Sequence, residues 1–399
     1  MPLLYEPFDP ARDLDEAVRI LCFAFAGEPD GVKDWISNAG FANLRVVRDA
    51  AAPVATLLRV PMGQFFGGRS VPMVGVAGVG VSPLARGRGV ARTLMTESLR
   101  EMRRDGVPIS ALYPATSTLY RRVGYEYAGL HLEHRLPVSR FRPARDTQPV
   151  RPFTQPDLPA LKACYTATSM PCDGALDRGD YIWNRVFTPR SGPCAGFVID
   201  ELSPDACGPD GIGAYVFFRQ ERDPVMGRHD IECSDLVAAS PRAARQLLGF
   251  LGEFGSMAND LVIRAGAIHP LFALCDEPRG LRTSFREYWM LRIVDLAAAL
   301  TARGYSSRLS ASLDLDVRDE TLPENAGRWR LRVEGGRGTV ERGGEGTLRC
   351  DIRGLASMYA GFMTPRAHAV LGLVDGNDPA LAVAAAVFGS NSAGFCDFF

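Results

Sequence analysis

The sequence predicts a protein of mixed α/β class built from more than one domain, and three observations carry that reading. Across residues 71–114 a strand, a glycine-punctuated loop, a helix and another strand follow in order, which is the pattern of a βαβ-like unit. Strands followed by a helix recur across residues 211–254. The third observation is size. The 399 residues, 46% hydrophobic and 23% charged, exceed the roughly 100–200 residues of one domain and can fill several cores.

Taken in order, residues 13–26 place Leu14, Ala17, Val18, Leu21 and Phe25 at helical spacing behind Asp13, which predicts an amphipathic first helix. Residues 44–49 and 54–66 read as strands, and residues 71–81 are a run of small and β-branched residues. Val90, Leu94, Met95, Leu99 and Met102 form one apolar helical stripe. A strand over 107–114 and a short helix over 117–122 follow. Six prolines between residues 137 and 159 predict an interdomain linker, with its arginines in solvent. Beyond it, Ser240-Pro241 stands ahead of a helix as Ser82-Pro83 does, but without the glycines. An internal duplication with one functional and one degenerate half is therefore expected. A third region begins near Tyr288, with residues 291–305 as a helix, short glycine-separated strands over 307–351, and two terminal helices.

Composition narrows the function. Lys+Arg at 45 against Asp+Glu at 46 leaves a net charge of −1, which removes the general electrostatic case for nucleic acid or an anionic membrane as partner. Nine scattered cysteines without a CxxC pair suit reduced thiols in a cytoplasm. No basic start with an apolar block opens the chain, and no apolar run approaches the ~20 residues that span a bilayer, so a cytoplasmic protein is expected. His131 and His134 fall on opposite faces if their segment is a strand, and no Cys or carboxylate set completes a tetrahedron, so no metal is expected. No GxSxG nucleophile elbow occurs.

The segment that carries chemistry is Arg86-Gly87-Arg88-Gly89-Val90-Ala91, directly between a strand and a helix. Free N–H groups at a helix N-terminus, reinforced by the dipole, attract anions, and glycines let a pyrophosphate approach the main chain. Two arginines add charge-assisted contacts. The plain alternative is a tight turn with solvent-facing arginines. A Rossmann loop needs GxGxxG and a P-loop needs GKS or GKT, and neither pattern is present. The R-x-x-G-x-A pattern resembles the acyl-CoA loop of the Gcn5-related N-acetyltransferases (GNAT). That resemblance implies acetyl-CoA as cofactor, held by Arg86, Gly87, Arg88, Gly89, Val90 and Ala91. It also implies that the strand carrying Val79 and Val81 presents backbone groups to the pantetheine arm and the thioester carbonyl. Residues 119–125 resemble the family's Y-x-x-x-G-[FY] element. A phenol at Tyr120, with a pKa of ~10, can protonate the thiolate that acyl transfer expels, although such rings commonly serve only in packing.

Over all 399 residues the chain resembles the Eis (enhanced intracellular survival) family of aminoglycoside acetyltransferases. Val79, Val81, residues 86–91, Tyr120, the run Trp289-Met290-Leu291-Arg292-Ile293 and the end Cys396-Asp397-Phe398-Phe399 carry the resemblance. It implies tandem GNAT-like domains followed by a sterol-carrier-protein-like α+β domain, divided as 1–140, 141–287 and 288–399, and a homo-hexamer. It also implies that the terminal α-carboxylate, here of Phe399, sits in the active site. A substrate amine with pKa near ~10 must lose a proton before it attacks, and a carboxylate can hold the ammonium and accept or relay that proton. Chain ends usually fray, but Phe395, Phe398 and Phe399 favour docking, because apolar rings are costly to leave in water. Glu28, Asp30 and Asp397 are candidates to face a cationic substrate, beside Phe25, Trp35 and Phe398. The expected reaction is acetyl transfer to a primary amine of a small cationic molecule, aminoglycoside-like or lysine-like. A catalytically silent acyl-CoA or lipid binder and an aminoacyl-tRNA-dependent transferase are the alternatives. The transferase would want a basic surface and has no need of RxxGxA.

Overall fold

The structure, a computed structural model, describes residues 3–50, 52–142, 149–200, 211–223, 227–267, 269–275, 277, 279–389 and 397–399. The chain divides into two compact units, one of residues 1–129, 288–391 and 399, the other of residues 130–287 and 392–398.

In the first unit, helix α1 (Pro10–Phe25) starts where Asp9 accepts the Ala11 N–H, with Pro10 in the first turn. Helix α2 (Pro29–Ala39) follows. The sheet runs β1 (Leu4–Pro7), β2 (Leu44–Asp49), β3 (Ala52–Phe66), β4 (Arg69–Val81) and β5 (Ile109–Leu112), antiparallel up to β4, then parallel between β4 and β5. Helix α3 (Val90–Arg104) makes the β4–β5 crossover and buries the expected stripe of Val90, Leu94, Met95, Leu99 and Met102 against Val74, Val76 and Leu112. Each such burial is worth about 1.5–3 kcal/mol. Helix α4 (Ser117–Arg121) leads into β6 (Glu126–Pro137).

The second unit contains β7 (Val150–Pro152), α5 (Leu158–Ser169), β8 (Leu176–Asp177), α6 (Asp180–Phe187), β9 (Ala195–Asp200), β10 (Ile212–Arg222), β11 (His229–Ala238), the helix Pro241–Gly252 and β12 (Ala258–Ala265). Its β10–β11 pair is antiparallel and its β11–β12 pair parallel, with the helix Pro241–Gly252 between the parallel strands. That is the arrangement of β3, β4, α3 and β5.

The last strand of each half closes the other half's sheet. Strand β6 follows β5 in sequence but pairs antiparallel with β12, Leu132–Pro137 against residues 260–265. Strand β13 (Arg282–Ile293) follows β12 but pairs antiparallel with β5, Met290–Ile293 against Ile109–Leu112. The boundaries between units, at 129/130 and 287/288, consequently fall inside β6 and β13. The remaining strands, β14 (Ala311–Arg318), β15 (Gly327–Glu334), β16 (Arg337–Arg342), β17 (Leu348–Asp351) and β18 (Val374–Gly376), form a sheet of order β16-β15-β14-β17-β18 in the first unit. Short helices at Ile352–Tyr359, Pro365–Val370 and Asp378–Phe388 follow its strands, one more than expected among the described residues.

Two further expectations need correction. Residues 291–305 are not one helix: residues 291–293 complete β13, and only Leu296–Ala302 is helical, opened where Asp295 accepts the Ala298 N–H at 3.0 Å. Pairing with β5 overrides the helical pattern there. The segment 137–159 is not a free linker. Val138 and Phe141 are buried in the second unit's core, and β7 pairs with β9. Nor are its flanking arginines merely solvated. Arg135 pairs with Glu133 and Asp230, and Arg151 with Asp157 and Asp200.

Candidate active site

Strand β4 carries a bulge. Its register passes from Leu58↔Ala77 to Thr56↔Gly80, so Leu57 faces both Gly78 and Val79. Gly78 has φ +56, and a Cβ there would lie 2.5 Å from the Trp35 ring, so glycine is required on both counts. Along β4, strand β5 pairs only with Met73–Val76. The continuation through Val79 and Val81 to the loop therefore has no β5 partner among the described residues, and its edge is open for main-chain hydrogen bonding to a ligand. Both valines are partly exposed.

The loop that follows places Gly87 at φ +76 and Gly89 at φ +80, with Gly89 as the residue before α3. A Cβ at either glycine would meet nothing within 4 Å, so the space in front of the loop is open and the backbone torsion is what demands glycine. No side chain caps α3. Its first N–H groups, on Val90 and Ala91, are left without intrahelical partners. The equivalent helix of the second unit is closed instead, since Ser240 accepts the Ala243 N–H at 3.2 Å. Arg86 is exposed, and Arg88 forms an ion pair with Asp49 at 2.7 Å. Asp49, at the end of β2, carries no sequence signal for this role.

Tyr120 on α4 is 5% exposed, and burial pushes its pKa up to about 12. Its ring meets Tyr125 edge to face at 6.1 Å. The two phenols differ. Tyr125 lies 2.8 Å from Ser110 Oγ, whose own proton goes to the Val74 carbonyl, so Tyr125 must donate to Ser110. The Tyr120 hydroxyl has no hydrogen-bond partner among the described residues. Gly124, the glycine of the same motif, has φ +90, and a Cβ there would meet the Arg292 guanidinium at 2.8 Å. Arg292, fully buried, is held by both oxygens of Asp319 at 2.8 Å. The WMLRI run thus braces the tyrosine motif, a role its sequence does not announce.

Phe399 is 4% exposed in the first unit, edge to face with Tyr113 at 5.6 Å. A Cβ on Gly75 of β4 would come within 2.7 Å of its ring. Phe398 is at the edge of exposure and stacks on His131 at 6.1 Å within the second unit. Asp397, expected to offer a carboxylate to the substrate, is buried with both oxygens on Arg178 instead. Phe395 and Cys396 lie outside the described residues. Phe25, Glu28 and Asp30 are exposed around the α1–α2 turn, and Trp35 covers the β4 bulge. His134 hydrogen-bonds Thr283 and Gly266 through its two ring nitrogens.

Residues 10–128 match an acetyltransferase (GNAT) domain, residues 174–293 a second acetyltransferase (GNAT) domain, and residues 296–397 a sterol carrier protein domain. The chain is 31% identical to a GCN5-related N-acetyltransferase from Anabaena variabilis of known crystal structure, over the whole of both chains, with a TM-score of 0.91. It is 28% identical to the N-acetyltransferase Eis of Mycobacterium tuberculosis over 84% of this chain and 83% of that one. The chain belongs to the Eis family of Gcn5-related N-acetyltransferases. Eis1 from Mycobacterium abscessus, at 24% identity, shares the fold over 98% of both chains with a TM-score of 0.79. As an Eis-family member it is a GNAT acetyltransferase, with two GNAT domains and a sterol-carrier-like one, and acetyltransferases of this kind use acetyl-CoA in general. No helix among the described residues is long and apolar enough to cross a membrane.

Proposed function

We propose that this protein transfers an acetyl group from acetyl-CoA to a primary amine of a small cationic molecule, aminoglycoside-like or lysine-like, in the cytoplasm and as a homo-hexamer. The observation that carries the reading is the uncapped N-terminus of α3 behind two left-handed glycines, at the end of an open β4 edge, in the same unit as a buried tyrosine with an unengaged hydroxyl. The division into a catalytic first domain to residue 140, a degenerate second to 287 and a C-terminal third belongs to this proposal.

The residues fit the cofactor. Main-chain N–H groups of the loop and of Val90 and Ala91 face open space suited to a pyrophosphate, with Arg86 beside them to neutralise charge. Val79 and Val81 offer main-chain groups to an extended arm. When bound, the thioester supplies an activated acetyl carbon. Tyr120 holds a proton at its Oη for the departing sulfur, and burial keeps that proton in place at neutral pH. The α-carboxylate of Phe399 accepts or relays the proton that the ammonium must lose. Glu28 and Asp30, with Phe25 and Trp35, receive the cationic substrate.

The test is release of free thiol from acetyl-CoA across a panel of amines, with product mass confirming addition of one acetyl per modified nitrogen. Absence of turnover with every amine, together with tight acetyl-CoA binding, would establish a silent binder instead. A C-terminal tag is expected to abolish turnover because it converts the terminal carboxylate to an amide, while an N-terminal tag is not. Equal activity of the two tagged forms removes Phe399 from the mechanism.

A further inference from the structure

Helix α4, which carries Tyr120, is a single turn of 5 residues, and no side chain caps its start at Thr116. A helix that short is not stable by itself in water, so what fixes Tyr120 must come from outside the turn. Two adjacent residues at the start of β6 supply it, one at each end of α4 and all within the first unit. At the first residue of α4, Ser117 Oγ lies 2.5 Å from the Tyr127 hydroxyl. At the last, Arg121 donates to Oε1 of Glu126 through Nε at 2.9 Å and Nη2 at 2.6 Å, and its guanidinium lies 4.5 Å from the centre of the Tyr127 ring. Tyr127 is held in turn. Its ring packs 4.4 Å from that of Tyr288, which meets Phe362 edge to face at 6.1 Å.

Three features set these contacts apart from ordinary packing. Glu126 is 1% exposed, and a carboxylate buried to that degree is costly to desolvate, so the ion pair is a poor source of stability and its geometry is the more telling property. Its Oε1 also accepts the Tyr127 N–H at 3.1 Å, so a single oxygen gathers three donors and ties the end of the helix to the start of the strand. Burial lowers the pKa of the nearby His368 although the Glu126 charge opposes that shift, so His368 is neutral at pH 7 and Arg121 is the counter-charge of Glu126. The third feature belongs to Tyr120 itself. Packing against Tyr125 restrains its ring, but its hydroxyl has no hydrogen bond among the described residues to hold it, so Oη moves with α4.

We infer that Glu126 and Tyr127 are positioning residues for acyl transfer, clamping α4 at its two ends so that the Tyr120 hydroxyl has a fixed place beside the departing sulfur. The inference rests on the reading of Tyr120 as proton donor and adds the groups that place it. A displacement of about 1 Å can cost on the order of 10²-fold in rate. A one-turn helix tied at neither end has that freedom. The rigid guanidinium of Arg121, gripped by Glu126 and lying on the Tyr127 ring, removes it at one end, and the Ser117–Tyr127 bond removes it at the other.

The experiment measures kcat and KM for acetyl-CoA in the full chain carrying Glu126→Ala, the conservative Glu126→Gln, or Tyr127→Phe, each alone and combined with Tyr120→Phe, with a thermal melt of every variant. In Glu126→Ala kcat is expected to fall about 10- to 100-fold, the range that a displacement of up to about 1 Å produces, with KM for acetyl-CoA unchanged. Glu126→Gln is expected to recover part of the loss, because its amide oxygen can still accept from Arg121 and from the Tyr127 N–H. Tyr127→Phe deletes one hydroxyl from a partly exposed ring and is expected to lower kcat about 3- to 10-fold, a fraction of the full displacement term, which keeps the test open should Glu126→Ala melt early. In the Tyr120→Phe background, where the proton to be placed is already gone, none of the three should cause a further fall, whereas a merely structural role would lower turnover again by the same factor. Parent-like kcat in both Glu126→Ala and Tyr127→Phe, or an equal fall in the two backgrounds, overturns the inference while leaving Tyr120 as the donor. Parent-like turnover in Tyr120→Phe alone overturns the role of Tyr120 and the inference with it.

Discussion

Of the two tyrosines in contact beside β5, only Tyr120 has a hydroxyl left to give. Tyr125 is committed to Ser110, and its place in the core is fixed by that bond. Replacing Tyr120 by Phe keeps the ring and its packing and deletes only the proton, so turnover is expected to fall about 10²- to 10⁴-fold with acetyl-CoA binding and thermal melt unchanged. A loss of less than about 3-fold would assign Tyr120 to packing alone. The pH profile offers a second check. The active form is the protonated phenol, and with its pKa raised to about 12 that form is fully populated up to about pH 10 and lost only above it. No descending limb from Tyr120 is therefore expected between pH 7 and 10. A limb in that window that vanishes in Tyr120→Phe would show that the phenol is not held in its buried environment during turnover. Gly124 makes the complementary point about legibility. Its presence in the motif is visible in the sequence, but the reason for it, a left-handed torsion pressed against the buried Arg292, is not.

At the scale of elements, what was legible is what repeats at a fixed period or breaks one. The α3 stripe is buried residue for residue, and the glycines before it take the left-handed torsions that a helix entry of this kind needs. The loop's function should fail in a matching way. Arg86→Ala and Gly89→Asp are expected to weaken acetyl-CoA binding far more than amine binding, by about 1.5–3 kcal/mol for the lost charged hydrogen bond. Gly89→Asn separates backbone strain from charge, because asparagine tolerates the left-handed region without adding a carboxylate. It should retain more affinity than Gly89→Asp, and calorimetric titration giving both the same loss would mean torsion, not the anion site, governs the position. Less legible were features set by partners distant in sequence. The helix expected from residue 291 is a strand there because β5 needs a neighbour, the two strands being 178 residues apart at their closest pair, Met290 and Leu112, and no local pattern records that. Arg178 and Asp49 were missed for the same reason. Each is an ordinary polar residue until its partner, Asp397 or Arg88, is brought to it.

At the scale of the whole molecule, the exchange of final strands means that domain boundaries drawn along the sequence do not enclose complete sheets. Residues 10–128 match an acetyltransferase domain, yet β5 in that stretch has its antiparallel neighbour at Met290–Ile293. Met290, Leu291 and Ile293 are all fully buried, and at about 1.5–3 kcal/mol each they are worth as much as the net stability of many domains. A chain ending at residue 140 would keep the loop, α3 and Tyr120 but expose the β5 edge and the apolar surface that β13 covers. It would also lose Arg292, and with it the support of Gly124. We predict that this fragment neither unfolds cooperatively nor binds acetyl-CoA, although every residue assigned to the cofactor lies within it. Differential scanning calorimetry should show no sharp transition, and a dye that reports exposed apolar surface should bind strongly. The control is the full chain with Met290→Asp, which places a charge at the same strand contact and should lower the melting temperature in the first unit while altering no residue of the loop. A sharp transition and parent-like acetyl-CoA affinity in the 140-residue fragment would show that the first sheet is complete without β13, and that the exchanged strand contributes neither stability nor site geometry.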